Sequence, residues 1–117
     1  MNLDKALAAH AGWKVKLRMA INDKGKLDAE TIASDCQCDL GRWLKGDGRA
    51  RHAADPAFGA CQAGHTAFHT AAGSIARAVN QGDYAGAERL MAQGGAFAQA
   101  STAVAVAIRR LKQVAPA

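Results

Sequence analysis

Two histidines four positions apart could bind a metal ion. His65 and His69 lie in a segment whose apolar pattern predicts a helix, so both imidazoles lie on one face, one turn apart. Two imidazoles in that arrangement can chelate one ion. A third histidine, His10, interrupts the apolar stripe of an earlier predicted helix, beside Trp13 and Leu17. Its position predicts a third ring that faces inward.

The three cysteines could supply a thiolate to the same ion. Cys36 and Cys38 form a Cys-x-Cys pair, and Cys61 lies one helical turn before His65. Three inward imidazoles in a small core rarely all find hydrogen-bond partners, whereas one metal ion would satisfy them together. Three imidazoles and one thiolate suit zinc, a borderline-soft ion without redox chemistry. The spacing alone leaves open which cysteine is the ligand.

Other chemistries find little support in the sequence. A site filled by four protein ligands has no open position for a catalytic water. The sequence also lacks paired carboxylates, a Ser-His-Asp arrangement and a glycine-rich phosphate loop, so we do not expect an enzyme. An iron or haem bundle is a weaker alternative, because the Cys-x-x-Cys-His motif and the repeated Glu-x-x-His motif are missing.

The composition predicts one small helical domain over residues 1–117. Half of the residues are hydrophobic and only 5% are aromatic, while alanine makes up about a quarter of the chain. Few β-branched residues and two prolines disfavour a β-sandwich or barrel. Because each alanine buries little area, the core is thin. A domain of this size then often needs a metal, a partner chain or both, so we expect a homodimer.

The charge and cysteine content predict a cytoplasmic protein that binds neither nucleic acid nor membrane. The net charge is +5, but no basic run is interleaved with aromatics as a nucleic-acid stacking surface would require. No apolar run approaches the roughly 20 residues of a membrane span, and residues 1–21 contain no signal-peptide core. Three cysteines cannot all pair within the chain, which favours reduced thiols.

Apolar periodicity and capping residues predict five helical segments. A helix over 3–22 is followed by a short helix from the Asp28 cap to about Asp35, and by one or two helical turns ending near Gly46 or Gly48. Residues 46–55 are expected to form a loop with an exposed His52. Long helices are predicted from Pro56 to about 81 and from 83 to about 114. The second of these is expected to be kinked at Gly94-Gly95, and Pro116 closes the chain. The expected fold is all-α: an antiparallel four-helix bundle with one additional short helix that carries the cysteine ligand.

Three sequence fragments together resemble one known family. The fragments are His10-x-x-Trp13, Cys38-x-x-Gly41-x-Trp43 and His65-x-x-x-His69, in this order along the chain. They resemble the signature of the chemoreceptor zinc-binding (CZB) domain. The resemblance implies zinc held by one cysteine and three histidines, which here are His10, Cys38, His65 and His69. Among the cysteines it favours Cys38, which alone is in register with Leu40-Gly41-Arg42-Trp43.

The resemblance also implies a function. It points to a cytoplasmic regulatory domain, often dimeric, of bacterial chemoreceptors and diguanylate cyclases. Zinc level, or oxidation of the ligand cysteine by hypochlorous acid, would alter signalling through a chemotaxis or cyclic-di-GMP protein. The sequence departs from this pattern by lacking a methyl-accepting or cyclase domain, so we expect a free-standing member or an excised domain. The alternative is a structural bundle in which zinc staples a dimer without sensing.

Within the resemblance, four further residues have expected roles. Trp13 and Trp43 are expected to anchor the ligand-bearing segments in the core, and Gly41 is expected to let the cysteine turn pack tightly. Asp39 is expected to be an exposed helix cap rather than a hydrogen-bond partner of a ligand histidine.

Overall fold

The structure is a computed structural model that describes residues 1–114. Within that range all regular elements are helices, and no strand occurs. They are α1 (Leu3–Asp23), α2 (Ala29–Ala33), α3 (Asp39–Lys45), α4 (Asp47–His52), α5 (Pro56–Asn80), α6 (Tyr84–Met91) and α7 (Ala96–Val114). The all-α prediction is confirmed. Pro116 lies outside the described residues.

Short polar side chains start the main helices. The Asp55 side chain accepts a hydrogen bond from the Ala57 N–H, and Pro56 occupies the first position of α5. Asp28 caps α2 by accepting from the Thr31 N–H, as predicted. These caps satisfy backbone donors that the first helical turn leaves free.

The central helix of the bundle is α5, which packs against α7, α2, α6 and α1. The rings of Phe68 in α5 and Phe97 in α7 lie 5.3 Å apart, and Gly64 lies against Val104, so these helices are antiparallel. Helix α1 runs parallel to α5. His10 of α1 contacts Phe68 in the middle of α5, and Leu27, which follows α1, donates a backbone hydrogen bond to the side chain of Asn80 at the end of α5.

Small side chains let these helices approach closely. Buried alanines line the packed faces of α5 and α7. At Gly73 of α5, an added Cβ would collide with Ala33 of α2. At these positions the helix backbones approach closely. The rest of the core contains larger, fully buried side chains, of which Phe68 is among the largest.

The predicted loop over residues 46–55 is wrong, because residues Asp47–His52 form α4. The segment is polar and contains glycines, so it carries no apolar periodicity. Its helix forms because Gly48 packs directly under the Trp43 ring, where an added Cβ would lie 2.7 Å from Cε3. His52 is half-buried rather than exposed, with its ring 6.0 Å from that of Trp43.

The predicted last helix is also divided. It separates into α6 and α7 at residues 92–95, which are not helical. Gly94 has φ of +84°, a left-handed conformation that glycine adopts at little cost. The pair Gly94-Gly95 therefore ends one helix and starts another, where the sequence predicted only a kink.

Candidate metal centre

Two helices and the residue that precedes a third contribute side chains to one buried cluster. His10 lies in α1, His65 and His69 lie in α5, and Cys38 is the residue before α3. Cys38 is the N-cap of α3, where its sulfur accepts a hydrogen bond from the Gly41 N–H at 3.3 Å. The short helix thus positions the thiol.

The donor atoms of these residues converge. The Cys38 Sγ lies 3.2 Å from the His65 Nε2 and 3.7 Å from the His69 Nε2, and the two Nε2 atoms are 3.1 Å apart. With His10 included, one ligand atom from each residue lies within 4.8 Å of all the others. Ligands of tetrahedral zinc lie about 3.3–3.7 Å apart, given the usual Zn–N and Zn–S bond lengths. The cluster therefore has nearly the spacing of a zinc site.

Backbone carbonyls fix the orientation of two rings. The His10 Nδ1 lies 2.7 Å from the Ala6 carbonyl oxygen, and the His69 Nδ1 lies 2.8 Å from that of Ile32. Because a carbonyl only accepts, each neutral ring carries its proton on Nδ1 and turns the lone pair of Nε2 toward the cluster. Metal-binding histidines are commonly held in this way by an outer partner.

One buried atom in the cluster lacks a partner. The His10 Nε2 is inaccessible to solvent and makes no hydrogen bond within the described structure. A buried polar atom without a partner is costly, and a metal ion is a partner that the adjacent donors could share. This atom and the Cys/His3 donor set both fit zinc.

Burial keeps the His10 and His65 imidazoles neutral. It lowers the pKa of His65 to about 3, with further lowering from the nearby His69 and His10. Burial also lowers the pKa of His10, against an opposing effect of the hydrogen bond to Ala6. Both rings therefore offer lone pairs at neutral pH. Burial raises the pKa of the Cys38 thiol, although the Gly41 N–H partly opposes this, so metal binding must displace its proton.

Gly41 is required by close packing, as predicted. A Cβ at this position would overlap the Asp35 carbonyl oxygen and lie 3.2 Å from the His65 Cε1. The neighbouring Trp43 is partly buried against the core, 6.4 Å from the Phe58 ring. Asp39 is exposed, as predicted, and pairs with Arg42. It is not the predicted cap, because Cys38 is the N-cap of α3 and Asp39 is its first residue.

The other two cysteines lie outside the cluster. Cys61 is fully buried, and burial raises its pKa to about 11. Cys36 is exposed, with its sulfur 3.4 Å from the Asp35 Oδ1. The structure thus brings together the four residues predicted as ligands and separates both alternative thiols from them.

Sequence analysis missed the groups that support the site. Ala6 lies four residues before His10 in the same helix, so the sequence could have indicated the contact between its carbonyl and the His10 ring. The Ile32 carbonyl bonds a residue 37 positions later, and no local pattern signals that contact.

A cleft of about 450 Å³ leads from the surface toward the cluster. It lies between the start of α1 and the cysteine turn, and its lining includes Cys38, His10 and Gln37. Cys38 is only half-buried, so small solutes in this cleft can reach its side of the cluster.

Comparison with known proteins identifies the same signature. The family described as "Chemoreceptor zinc-binding domain" matches residues 10–76, which contain all four clustered residues. Searches of curated proteins and of solved structures found no match. Among residues 1–114, none of the helices has the length and apolar character needed to cross a membrane.

Proposed function

The chain belongs to the chemoreceptor zinc-binding domain family, and on that premise we propose a zinc-binding regulatory domain. Its metal ligands are His10, Cys38, His65 and His69. The observation that carries this proposal is the buried, unpartnered Nε2 of His10, a residue of the cluster whose four ligand atoms lie within 4.8 Å of one another.

The chain's own residues prepare the site. The Ala6 and Ile32 carbonyls orient two rings, and the Gly41 N–H supports the sulfur. When bound, zinc would stabilise the thiolate form of Cys38 and join α1, α3 and α5. Four protein donors leave no vacant position for a substrate, which favours regulation over catalysis.

The proposed signal is the zinc level or oxidation of Cys38. The half-buried sulfur borders the cleft, which gives small oxidants such as hypochlorous acid a route to it. The same sulfur caps α3. Oxidation to sulfenic or sulfinic acid would weaken both its ligand role and the cap, and thereby displace α3.

Elemental analysis before and after oxidation tests this function. We expect one zinc per chain in protein purified without added metal, and release of that zinc by hypochlorous acid. A His52→Ala variant is the control, because His52 lies beside Trp43 and outside the cluster. Protein that purifies without zinc, or that retains it after Cys38 has been oxidised, would contradict the proposal.

The partner in this proposal is a cytoplasmic chemotaxis protein, for which the word "chemoreceptor" in the family description is the support, or a cyclic-di-GMP signalling protein. Zinc-dependent binding to a chemoreceptor signalling domain or a diguanylate cyclase domain would support this partner. Binding that is identical with and without zinc would count against regulation through the metal.

A second candidate function is a zinc-stapled homodimer without a sensing role. It is favoured by exposed apolar side chains on α1, where Val15 and Met19 are 60% and 56% exposed, and by Val106 on α7. A cleft of about 390 Å³ lies between these two helices. Sedimentation equilibrium of the wild type and of a Val15→Asp variant tests whether these side chains form a dimer interface. Chelation that melts the fold without changing partner binding would favour this function over sensing.

A further inference from the structure

Cys36 has no role in the zinc-binding proposal. It is exposed, it lies two positions before Cys38, and it is not one of the four clustered residues. We propose that Cys36 is the resolving thiol for oxidised Cys38, so that oxidation ends in an intrachain Cys36–Cys38 disulfide. This inference rests on the proposed function, because it begins with oxidation of Cys38.

The two thiols are close enough in the chain to pair. Both lie in the segment between α2, which ends at Ala33, and α3, which begins at Asp39. Residues two positions apart have Cα atoms at most about 7 Å apart in an extended chain. A disulfide needs roughly 4.4–6.8 Å, and the turn in residues 34–38 shortens the separation toward that range. Cys61 is fully buried and unsuited to this role.

The turn stays attached to the bundle while Cys38 changes partners. The Asp35 carboxylate accepts a hydrogen bond from the Thr66 hydroxyl on α5 and pairs with Lys45 on α3 at 3.5 Å. Cys38, by contrast, is held through its sulfur, by the Gly41 N–H and the imidazoles. A sulfenic acid weakens these sulfur contacts, which frees the side chain to turn toward Cys36.

The chemistry balances in two steps. An oxidant of the hypochlorous acid class converts the Cys38 thiol to a sulfenic acid, and its chlorine is reduced to chloride. The Cys36 sulfur then attacks the Cys38 sulfur: the S–S bond forms, the S–O bond breaks, and the hydroxyl leaves as water with the Cys36 proton.

Mass spectrometry of the zinc-loaded chain tests this resolving role. Cys36 and Cys38 share the tryptic peptide 27–42, and Cys61 lies in another. After treatment with a small excess of hypochlorous acid, we expect zinc release and a wild-type peptide lighter by two hydrogen atoms. Reduction with dithiothreitol then restores zinc binding.

The Cys36→Ser variant separates resolution from sensing. We expect it to bind and release zinc as the wild type does. Without a resolving thiol, however, the excess hypochlorous acid oxidises its Cys38 sulfenic acid further to sulfinic acid, so its peptide gains two oxygen atoms and dithiothreitol does not restore zinc binding. Cys36→Ala provides a second variant at this exposed position, and Cys61→Ala is the matched control that behaves as the wild type.

Several results would overturn the inference. They are an oxygenated wild-type peptide, a disulfide between chains, or equal recovery of zinc binding in wild type and Cys36→Ser. If zinc is released without a disulfide, only this inference fails. If no zinc is bound or released, the proposed function fails and the inference fails with it.

Discussion

At the scale of single residues, the site depends on where protons and lone pairs lie. The Nδ1 atoms of His10 and His69 are committed to backbone carbonyls, which leaves their Nε2 atoms for the cluster. The sequence predicted which four residues would meet, because helical spacing indicates the inward histidines and the resemblance to the family favours Cys38 among the cysteines. It could not predict the Ile32 carbonyl, since that contact depends on how α2 packs against α5.

Substituting Gly41 tests how tightly the cysteine turn packs on the site. The added Cβ of Gly41→Ala would overlap the Asp35 carbonyl oxygen and press on the His65 ring. We expect a loss of about 1–3 kcal/mol in the free energy of unfolding, measured by urea denaturation, and weaker zinc binding. Gly59→Ala is the control, because nothing lies within 4 Å of its added Cβ in α5. Equal stability of the two variants would show that Gly41 is not packed as described.

The buried histidines predict an acid-sensitive fold in metal-free protein. Burial holds the pKa of His65 at about 3 and lowers that of His10, whereas unfolded histidine titrates near 6.5. Below about pH 6.5 the unfolded chain therefore binds more protons, and stability falls toward pH 3. Each such histidine changes the free energy of unfolding by up to about 1.4 kcal/mol per pH unit in this range.

Urea denaturation of the metal-free protein between neutral and acid pH measures this slope. His10→Leu removes one buried imidazole, so its unfolding free energy is expected to vary less steeply with pH than that of the wild type. Identical slopes would argue against a neutral, buried His10.

At the scale of elements, long periodic helices were predictable and short or broken ones were not. The bounds of α1 and α5 follow from apolar periodicity and from caps such as Asp55. The six-residue α4 has no such pattern and depends on the contact between Gly48 and Trp43. Likewise, the apolar pattern continues across residues 92–95, whereas the chain leaves the helix at an extended Ala92 and turns at the left-handed Gly94.

The contact between α2 and α5 supports the site from outside. In Gly73→Ala the new Cβ would lie 2.9 Å from the Ala33 Cα, which pushes α2 away and weakens the bond between the Ile32 carbonyl and His69. We expect about 10–100-fold weaker zinc binding, measured by competition with a chelator. Gly64→Ala is the control, since its nearest neighbour lies at an ordinary 3.6 Å. Unchanged affinity in Gly73→Ala would exclude this support.

At the scale of the whole molecule, the proposed metal has a structural role because its ligands come from different helices. The four proposed ligands come from segments far apart in the chain, namely α1, the turn before α3, and α5. Buried apolar side chains such as Leu17, Leu40 and Phe68 also pack these segments together, so the metal would add to an apolar core. A metal bound only by the folded chain adds its binding free energy to the stability of the fold.

Removing the metal is therefore expected to lower the melting temperature. When free zinc exceeds its Kd by about 100-fold, binding stabilises the fold by roughly 2.7 kcal/mol, and a chelator that removes the zinc removes this stabilisation, which calorimetry detects readily. Chelated protein refilled with zinc is the control and regains the original transition. A melting temperature that does not respond to chelation would contradict the structural role.

The central claim is that His10, Cys38, His65 and His69 together hold one zinc ion. Its most direct test is the zinc content per chain of the wild type and of the four single alanine variants, each purified without added metal. Cys36→Ala and His52→Ala serve as controls outside the cluster. We predict one zinc per chain in the wild type and both controls, and a marked loss in each of the four variants. A full zinc content in any of these four, or its loss in either control, would contradict the assignment.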